Sequence, residues 1–375
     1  MCDVLGDPRL REIIKKPPSN PPYDAVLVQL MNGYQCFSAI GYLWNVPVIG
    51  IVTTALQPHL HHFVGQPLNL AISSKKCANL QRKHDILGQA LQFSCDSFHH
   101  LRVPKIPAHV EIGGIHIQDD NSTIDLELKN LLDESEHGFI YFSFGTVTVL
   151  ESFPKEVLEK FFAAFHKISP VRVIVKSTNS TALTRHIDKN IFTFSWLPQQ
   201  RILQHPNIKG FVSHGGGLGS QEAVYFSVPL ICVPLFDDQF INCDISSEKG
   251  YGIKLDIRTA QQTDYDNAFT EILHNPKYQT SVKRVSGLYR DRPIKPKNEA
   301  VYWIEYVIRH GKQALKSPAV DLKWWQIELF DVYAFIVSIF TLTIVLIFFA
   351  IRRALKLLSL LRTNLIKQNS SKKSD

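Results

Sequence analysis

A chain of 375 residues, 45% of them apolar, has room for two domains with full cores and the composition of a globular protein. Of its net charge of +7, residues 352–375 hold +6 (seven Lys and Arg against Asp375), which leaves +1 for everything before them. That distribution gives no indication of a basic nucleic-acid surface on the main body, and the six cysteines (Cys2, Cys36, Cys77, Cys95, Cys232, Cys243) show no CxxC pair or metal-ligand spacing.

The chain opens MCDVLGDPRLREIIKK, which has no apolar h-region and so reads as lacking a signal peptide. Residues 24–30 (DAVLVQL) predict a buried strand, 32–43 a helix and 46–52 (VPVIGIV) another strand, a rhythm that predicts a parallel sheet. Residues 53–108, rich in His, Pro and Lys, predict irregular structure. VEIGGIHI at 110–117 reads as a strand that ends the first domain, 119–122 as a polar linker and 126–132 as a short helix. FIYFSF at 139–144 predicts a strand running into Gly145-Thr146. Residues 154–168 predict an amphipathic helix with Val157, Phe161, Phe165 and Ile168 on one face. Strands follow near 171–175 and 191–195, and helices at 240–249, 264–273, 277–289 and 297–310. Repeated β-α units predict a doubly wound sheet with its ligand at the strand C-terminal ends.

The chemistry concentrates in residues 195–242. An aromatic-Pro turn and a short amphipathic piece lead into a strand, IKGFVS, which breaks into His214-Gly-Gly-Gly217. A helix, LGSQEAVYF, opens at once; a second buried strand, PLICVPLF, and a helix start at Asp237-Asp238-Gln239 follow. Strand, Gly-rich turn and helix N-terminus form an anion site, because glycines admit close approach and free N–H groups and the helix dipole favour phosphate. Cys232, in an apolar run, reads as core; the spacing leaves disulfides open. Gly215-x-Gly217 with Asp238 twenty residues on hints at a dinucleotide fingerprint, but Ser220 stands at the third glycine position and the motif lies late in the chain, so NAD is rejected.

Residues 332–351 are 20 residues without a charge, about 30 Å of helix, enough to span a bilayer core. Trp324, Trp325 and Tyr333 flank the segment like an interfacial belt, and Arg352-Arg353 follow it. The positive-inside bias puts the tail in the cytosol and residues 1–331 on the other side; insertion as a tail anchor would instead leave the main body cytosolic. Asn121-Ser-Thr and Asn179-Ser-Thr are glycosylation acceptors if luminal.

WLPQ at 196–199, then HGG…QEA and PLFDDQ, resembles the UDP-glycosyltransferase signature, and the animal membrane-bound glucuronosyl/glucosyltransferases in particular. FIYFSFGT, RDRPIKPKNEAVYWIEYVIRH, AVDLKWW, the membrane span and the Lys372-Lys373 dilysine tail are similar too, as are YDAVLVQ and VEIGGIHI; HGG with Leu218 looks invertebrate-like. The resemblance implies an α/β fold of GT-B type: two Rossmann-like domains, the N-terminal one incomplete, plus one C-terminal transmembrane helix. It divides the chain into an acceptor-side domain (1–118), a UDP-sugar domain (119–290), a C-terminal helix and juxtamembrane segment (291–331), the span (332–351) and a basic cytosolic tail (352–375) in the endoplasmic reticulum membrane.

The implied reaction is inverting transfer from a UDP-sugar, a co-substrate, to a hydroxyl of a small lipophilic acceptor, with no cofactor and no metal. By the resemblance Trp196 stacks on uracil, Gln199 reads the uracil edge or ribose, and Glu222 accepts ribose hydroxyls. His214, with Gly216 and Gly217, holds the diphosphate, where charge builds in the transition state; Ser143 and Thr146 add hydroxyls, and Asp238 and Gln239 bind the sugar. The bland alternatives are a core plug for Trp196, an exposed helical Glu222 and capping by Asp237 and Asp238.

The histidine base of the family's opening segment has no counterpart here; His59, His61, His62, His99 and His100 lie in the wrong region, and Gln29 falls at the partner-acid position. Residues 66–93 look shorter than the family's equivalent, and Leu218-Gly219 replace the usual Asn-Ser. Two readings therefore stand: a membrane-anchored transferase, with UDP-glucose favoured as donor by the invertebrate character, or an inactive UDP-sugar-binding partner subunit associated with full-length relatives.

Overall fold

The computed structural model describes residues 23–29, 37–52, 91–94, 106–117, 124–146, 148–178, 189–327 and 329–371. The chain forms two units, 1–317 and 318–375.

The first unit holds two parallel sheets. The smaller has the order β1-β2-β3-β4, from Val26–Gln29 (β1), Val48–Val52 (β2), Leu91–Ser94 (β3) and His109–Glu111 (β4). Ser38–Trp44 (α1) links β1 to β2 and stops at Asn45, whose left-handed backbone returns its N–H to the helix carbonyls. Residues 31–36, the start of the predicted 32–43 helix, lie outside the described residues. Two expectations are corrected here. Strand β3 falls inside the segment expected to be irregular; four residues are too few to show a period. VEIGGIHI is a strand only to Glu111, because Gly113-Gly114 turns the chain and Ile115 and Ile117 donate back to Ile112 and Gly114.

The larger sheet runs β10-β9-β8-β5-β6-β7, all parallel. After Leu126–Asp133 (α2) come Phe139–Ser143 (β5), Lys155–Lys167 (α3), Arg172–Lys176 (β6) and Ile191–Phe194 (β7). Gln199–Leu203 (α4), Ile208–Ser213 (β8), Gly217–Tyr225 (α5), Leu230–Cys232 (β9), Gln239–Glu248 (α6) and Gly252–Lys254 (β10) follow, then Gln262–His274 (α7), Pro276–Arg290 (α8) and Pro296–His310 (α9). The predicted strand PLICVPLF is a strand for only three residues.

β5 is buried throughout, and its period of two serves both faces of the sheet. Ile140 and Phe142 face a cluster with Phe161, Phe165, Tyr265 and Phe269, from α3 and α7. Phe139 and Tyr141 face a cluster with Leu132, Ile202, Phe211 and Tyr289, from α2, α4, β8 and α8. The predicted stripe on α3 holds: Phe161 and Phe165 are in the core and Val157 and Ile168 pack against it. Helix α9 covers the smaller sheet instead, setting Ala300 and Val307 against Ile49, Val110 and Ile112.

In the second unit, Trp324–Ile327 (α10) precedes Phe330–Ser371 (α11), 42 residues of continuous helix. Its stretch Phe330–Leu361 is long and apolar enough to cross a membrane. The helix runs past the expected end at 351 because no Gly or Pro breaks it and Arg352-Arg353 are good helix formers.

Candidate functional site

In the larger sheet the chain winds from β5 outward to β7, then crosses back to β8 and winds the other way. The two halves part between β5 and β8, and a doubly wound sheet opens its ligand crevice at the carboxyl ends of those strands.

Both strands end in the same turn. Ser143 pairs in register with Ser213. Each hydroxyl accepts from the N–H two residues on, Gly145 at 3.3 Å and Gly215 at 3.2 Å, and each glycine has a left-handed backbone, φ +80° and +81°. Between the turns sits His214, its ring against Gly145. Burial pushes the His214 pKa down to about 4, so the imidazole is neutral near pH 7. Its Nδ1 is shielded and has no hydrogen-bond partner among the described residues.

Helix α5 opens directly after the second turn, with Gly216 as an N-cap that carries no capping side chain. Its first N–H groups present the positive end of the helix, with the Asp238 carboxylate beside the Gly217 N–H. The floor is tied down from α6: Asn242 donates to the Gly215 carbonyl (2.8 Å) and to Asp238 (2.9 Å). A disulfide joins Cys232 to Cys243 directly under Gly215, so Cys232 is core as expected but also cross-linked. Burial holds the Asp238 carboxyl above the usual carboxylate range, with the Asn242 bond opposing.

A second cluster lies on the other side of α5. Glu222 is only 7% exposed, which removes the reading of a solvated helical Glu. Gln199 donates to its Oε2 at 2.5 Å, Gln200 donates to its Oε1 at 3.0 Å, and His116 Nε2 lies 3.4 Å from Oε1. Tyr141 donates to Gln199 from beneath at 3.3 Å. Trp196, just past β7, is 70% exposed and is therefore no core plug. Lys176, at the end of β6, stands 4.7 Å over the indole ring and donates to the Gly145 carbonyl at 2.9 Å. Partial burial lowers its pKa.

The structure thus gathers Ser143, His214, Gly216, Gly217, Gln199, Glu222, Trp196 and Asp238 along one sheet edge, with Thr146 exposed at the β5 turn. The sequence singles out two more residues, Gln239 at the start of α6 and Gln29 in the first domain. Gln239 is 3% exposed, and its amide oxygen accepts from the Leu235 and Phe236 N–H groups, which holds the loop before α6. Gln29 ends β1, exposed on the smaller sheet. Asp238 is the N-cap of α6 but makes no side-chain capping bond. His59, His61, His62, His99, His100, Asn121, Asn179, Lys372 and Lys373 lie outside the described residues.

Sequence reasoning missed Ser213, Lys176, Gln200, Asn242 and His116. The first had a signal, because FIYFSFG and IKGFVSHG both end a buried strand in Ser-x-Gly. Lys176 sits where a strand of the sheet ends, a position open to inspection once the strand is predicted.

A parallel six-stranded sheet of this order, together with a second parallel sheet, is the GT-B glycosyltransferase architecture. Solved structures agree on the fold: UDP-glucose:anthocyanidin 3-O-glucosyltransferase in complex with UDP superposes with a TM-score of 0.60 at 15% identity, over 77% of this chain and 76% of that one. The glycotransferase of kitacinnamycin gives 0.58 at 16% identity over 80% and 79%. The family model "UDP-glucoronosyl and UDP-glucosyl transferase" matches residues 50–360, and the chain belongs to that family. UDP-glycosyltransferase UGT5 of Dactylopius coccus is 38% identical over 257 residues, 68% of this chain and 48% of that protein. UDP-glucuronosyltransferase 1A9 of Mus musculus is 34% identical over 248 residues, 66% and 46%. The chain spans about half the length of the curated relatives it matches.

Proposed function

We propose that the crevice at the ends of β5 and β8 binds a UDP-sugar, and that the chain serves transfer of the sugar, with inversion and without metal, to a hydroxyl of a small lipophilic acceptor. One observation carries the reading. Along a single sheet edge stand an exposed indole, a buried carboxylate held by amides, and the positive end of a helix beside a neutral histidine. Those groups suit a flat base, a diol and a diphosphate in the order in which UDP presents them. The relatives' names and the UDP in the anthocyanidin glucosyltransferase structure support the same donor.

The chemistry this half performs is leaving-group stabilisation. As an acceptor oxygen attacks the anomeric carbon, negative charge grows on the departing phosphate. Preorganised N–H donors at the start of α5, with His214, meet that charge without reorganising. His214 acts as a neutral donor, since its depressed pKa keeps it unprotonated near pH 7. Lys176 brings a positive charge to the same edge. Asp238, beside the Gly215–Gly217 turn, is placed for a sugar hydroxyl. The base that deprotonates the acceptor belongs to the other face of the sugar, and none of these residues takes that role.

Calorimetric titration of the full chain in detergent with UDP tests the donor site. Trp196→Ala is expected to weaken binding about tenfold or more, since stacking on a base contributes about 1–3 kcal/mol. No binding by the native chain, or no loss in Trp196→Ala and His214→Ala, overturns the assignment.

A second reading, an inactive UDP-sugar-binding partner of longer relatives, is favoured by Gln29: an amide bonds a histidine but does not stabilise imidazolium as a carboxylate does. Conjugate formed from a UDP-sugar and a phenol by this chain alone, in microsomes, excludes it.

The membrane assignment goes with the first reading: a single span ending before Arg352-Arg353, in an endoplasmic-reticulum-type membrane with the main body luminal. The apolar helix supports the span, and the Cys232–Cys243 disulfide fits an oxidising compartment. Glycan on Asn121 or Asn179 supports luminal placement; digestion of the main body by protease added to sealed microsomes overturns it.

A further inference from the structure

We infer that His116, in the turn that leaves the smaller sheet, is a ribose contact of the donor site. The inference rests on the UDP-sugar reading above and adds a residue from outside the larger sheet.

The placement of His116 is built, not incidental. The Gly114 N–H donates to Gln221 Oε1 at 2.8 Å, and the same oxygen accepts from Tyr289 at 3.1 Å, so the turn is bolted to the buried face of α5. One residue further along α5 is Glu222. Gln200 Nε2 bridges the two sides, donating to the His116 carbonyl at 3.1 Å and to Glu222 Oε1 at 3.0 Å. A single amide therefore fixes where the histidine stands relative to the carboxylate.

The ring itself is unfinished. Its Nε2 is 3.4 Å from Glu222 Oε1, beyond a normal N–H···O bond, and both ring nitrogens are shielded from solvent without a hydrogen-bond partner among the described residues. Shielded polar atoms that go unbonded cost free energy, and a ligand that bonds them recovers it. A ribose hydroxyl suits this unsatisfied pair by its chemistry. A carboxylate only accepts, whereas a hydroxyl both donates and accepts. One hydroxyl can donate to Glu222 and accept from the His116 Nε2–H at the same time. A purely structural role, with His116 stapling the turn to α5, predicts a stability effect and no preference among nucleotides.

Three nucleotides separate these roles: UDP, 2′-deoxy-UDP and 3′-deoxy-UDP, titrated into the full chain in detergent. The native chain is expected to prefer UDP over at least one deoxynucleotide by about tenfold or more, as for a hydrogen bond to a charged group. His116→Ala is expected to weaken UDP by about tenfold while leaving that deoxynucleotide nearly unchanged, so the preference collapses. His116→Gln, which keeps an N–H donor, is expected to restore part of it. Equal weakening of all three nucleotides, or unchanged affinities with a lowered melting temperature, assigns His116 to the staple and overturns the inference alone. If the native chain binds no UDP, the donor reading falls and this inference with it.

Discussion

The two Ser-x-Gly turns at the ends of β5 and β8 share a hydrogen bond, a backbone conformation and a register, yet they are supported differently. The β8 turn rests on a buried disulfide, and its carbonyl is taken by Asn242. The β5 turn leads to exposed Thr146, and its carbonyl is held by a flexible lysine. The same local sequence can therefore make a rigid cradle or an adjustable rim. What decides is the packing beneath it: α6 lies under one turn and solvent lies beyond the other. The rigid turn is the one that opens a helix N-terminus, where small displacements of N–H groups would misalign the diphosphate of the proposed donor.

The sharpest way to break the comparison is to add a methyl to each glycine. A Cβ on Gly215 would stand 2.6 Å from Cys243 Sγ and 2.8 Å from Cys232 Sγ, in a core that cannot give, on top of the left-handed backbone. Strain and overpacking each cost about 1–3 kcal/mol. Gly215→Ala is expected to lose about 4 kcal/mol and lower the melting temperature by roughly 10 °C. A Cβ on Gly145 meets only the edge of the His214 ring, at 3.1 Å. Gly145→Ala is expected to cost less than half as much, about 1–2 kcal/mol. Equal losses in thermal melts would mean that the two turns are equally supported.

His214 sits between the turns and gives a pH test of the same edge. Its pKa is about 4 folded, against 6.5 for a free histidine, so between those values the unfolded chain binds a proton that the folded chain does not. Its share of stability is whole above pH 6.5 and is lost as pH falls toward 4, roughly 3 kcal/mol in all. Asp238, with its pKa raised by burial, slopes the opposite way at acid pH, so the difference between the native chain and His214→Asn isolates the histidine. That difference should shrink steadily from pH 6.5 to pH 4; a constant offset in melting experiments would contradict a neutral, desolvated ring.

The larger sheet was legible in the sequence because its signals are local. β5 is a continuous apolar run, α3 carries a clean 3.6-residue stripe, and α8 and α9 begin at Pro276 and Pro296. The Gly-rich turn announced itself through Gly215–Gly217. What stayed hidden depends on distant pairing. Strand β3 has four residues and is defined by its neighbours in the sheet. The Gln239 amide oxygen accepts from the Leu235 and Phe236 N–H groups, a local role that its place in PLFDDQ does not show. The disulfide joins residues 11 apart, with neither in a recognisable pair. His116 meets Glu222 only because the turn after β4 docks on α5, a contact between residues more than a hundred apart.

The smallest expected difference is the most discriminating, because it changes one oxygen in each turn. Ser213→Ala and Ser143→Ala remove the same acceptor from the same kind of N–H. At Gly215 the bond is buried, and the N–H left behind lies out of reach of bulk solvent. A buried donor without a partner costs about 1–3 kcal/mol. At Gly145 the bond is only partly buried, so water can take over much of the role and the loss should be about 0.5 kcal/mol. Nucleotide affinity should follow stability: UDP binding weakens more in Ser213→Ala, whose turn feeds directly into α5, than in Ser143→Ala. If both variants lose equally in denaturant titrations and in UDP affinity, the support beneath the turn is irrelevant and the hydroxyl alone sets the geometry. If only Ser213→Ala suffers, α6 and its disulfide are what make a common strand ending into the rigid turn that the proposed donor site needs.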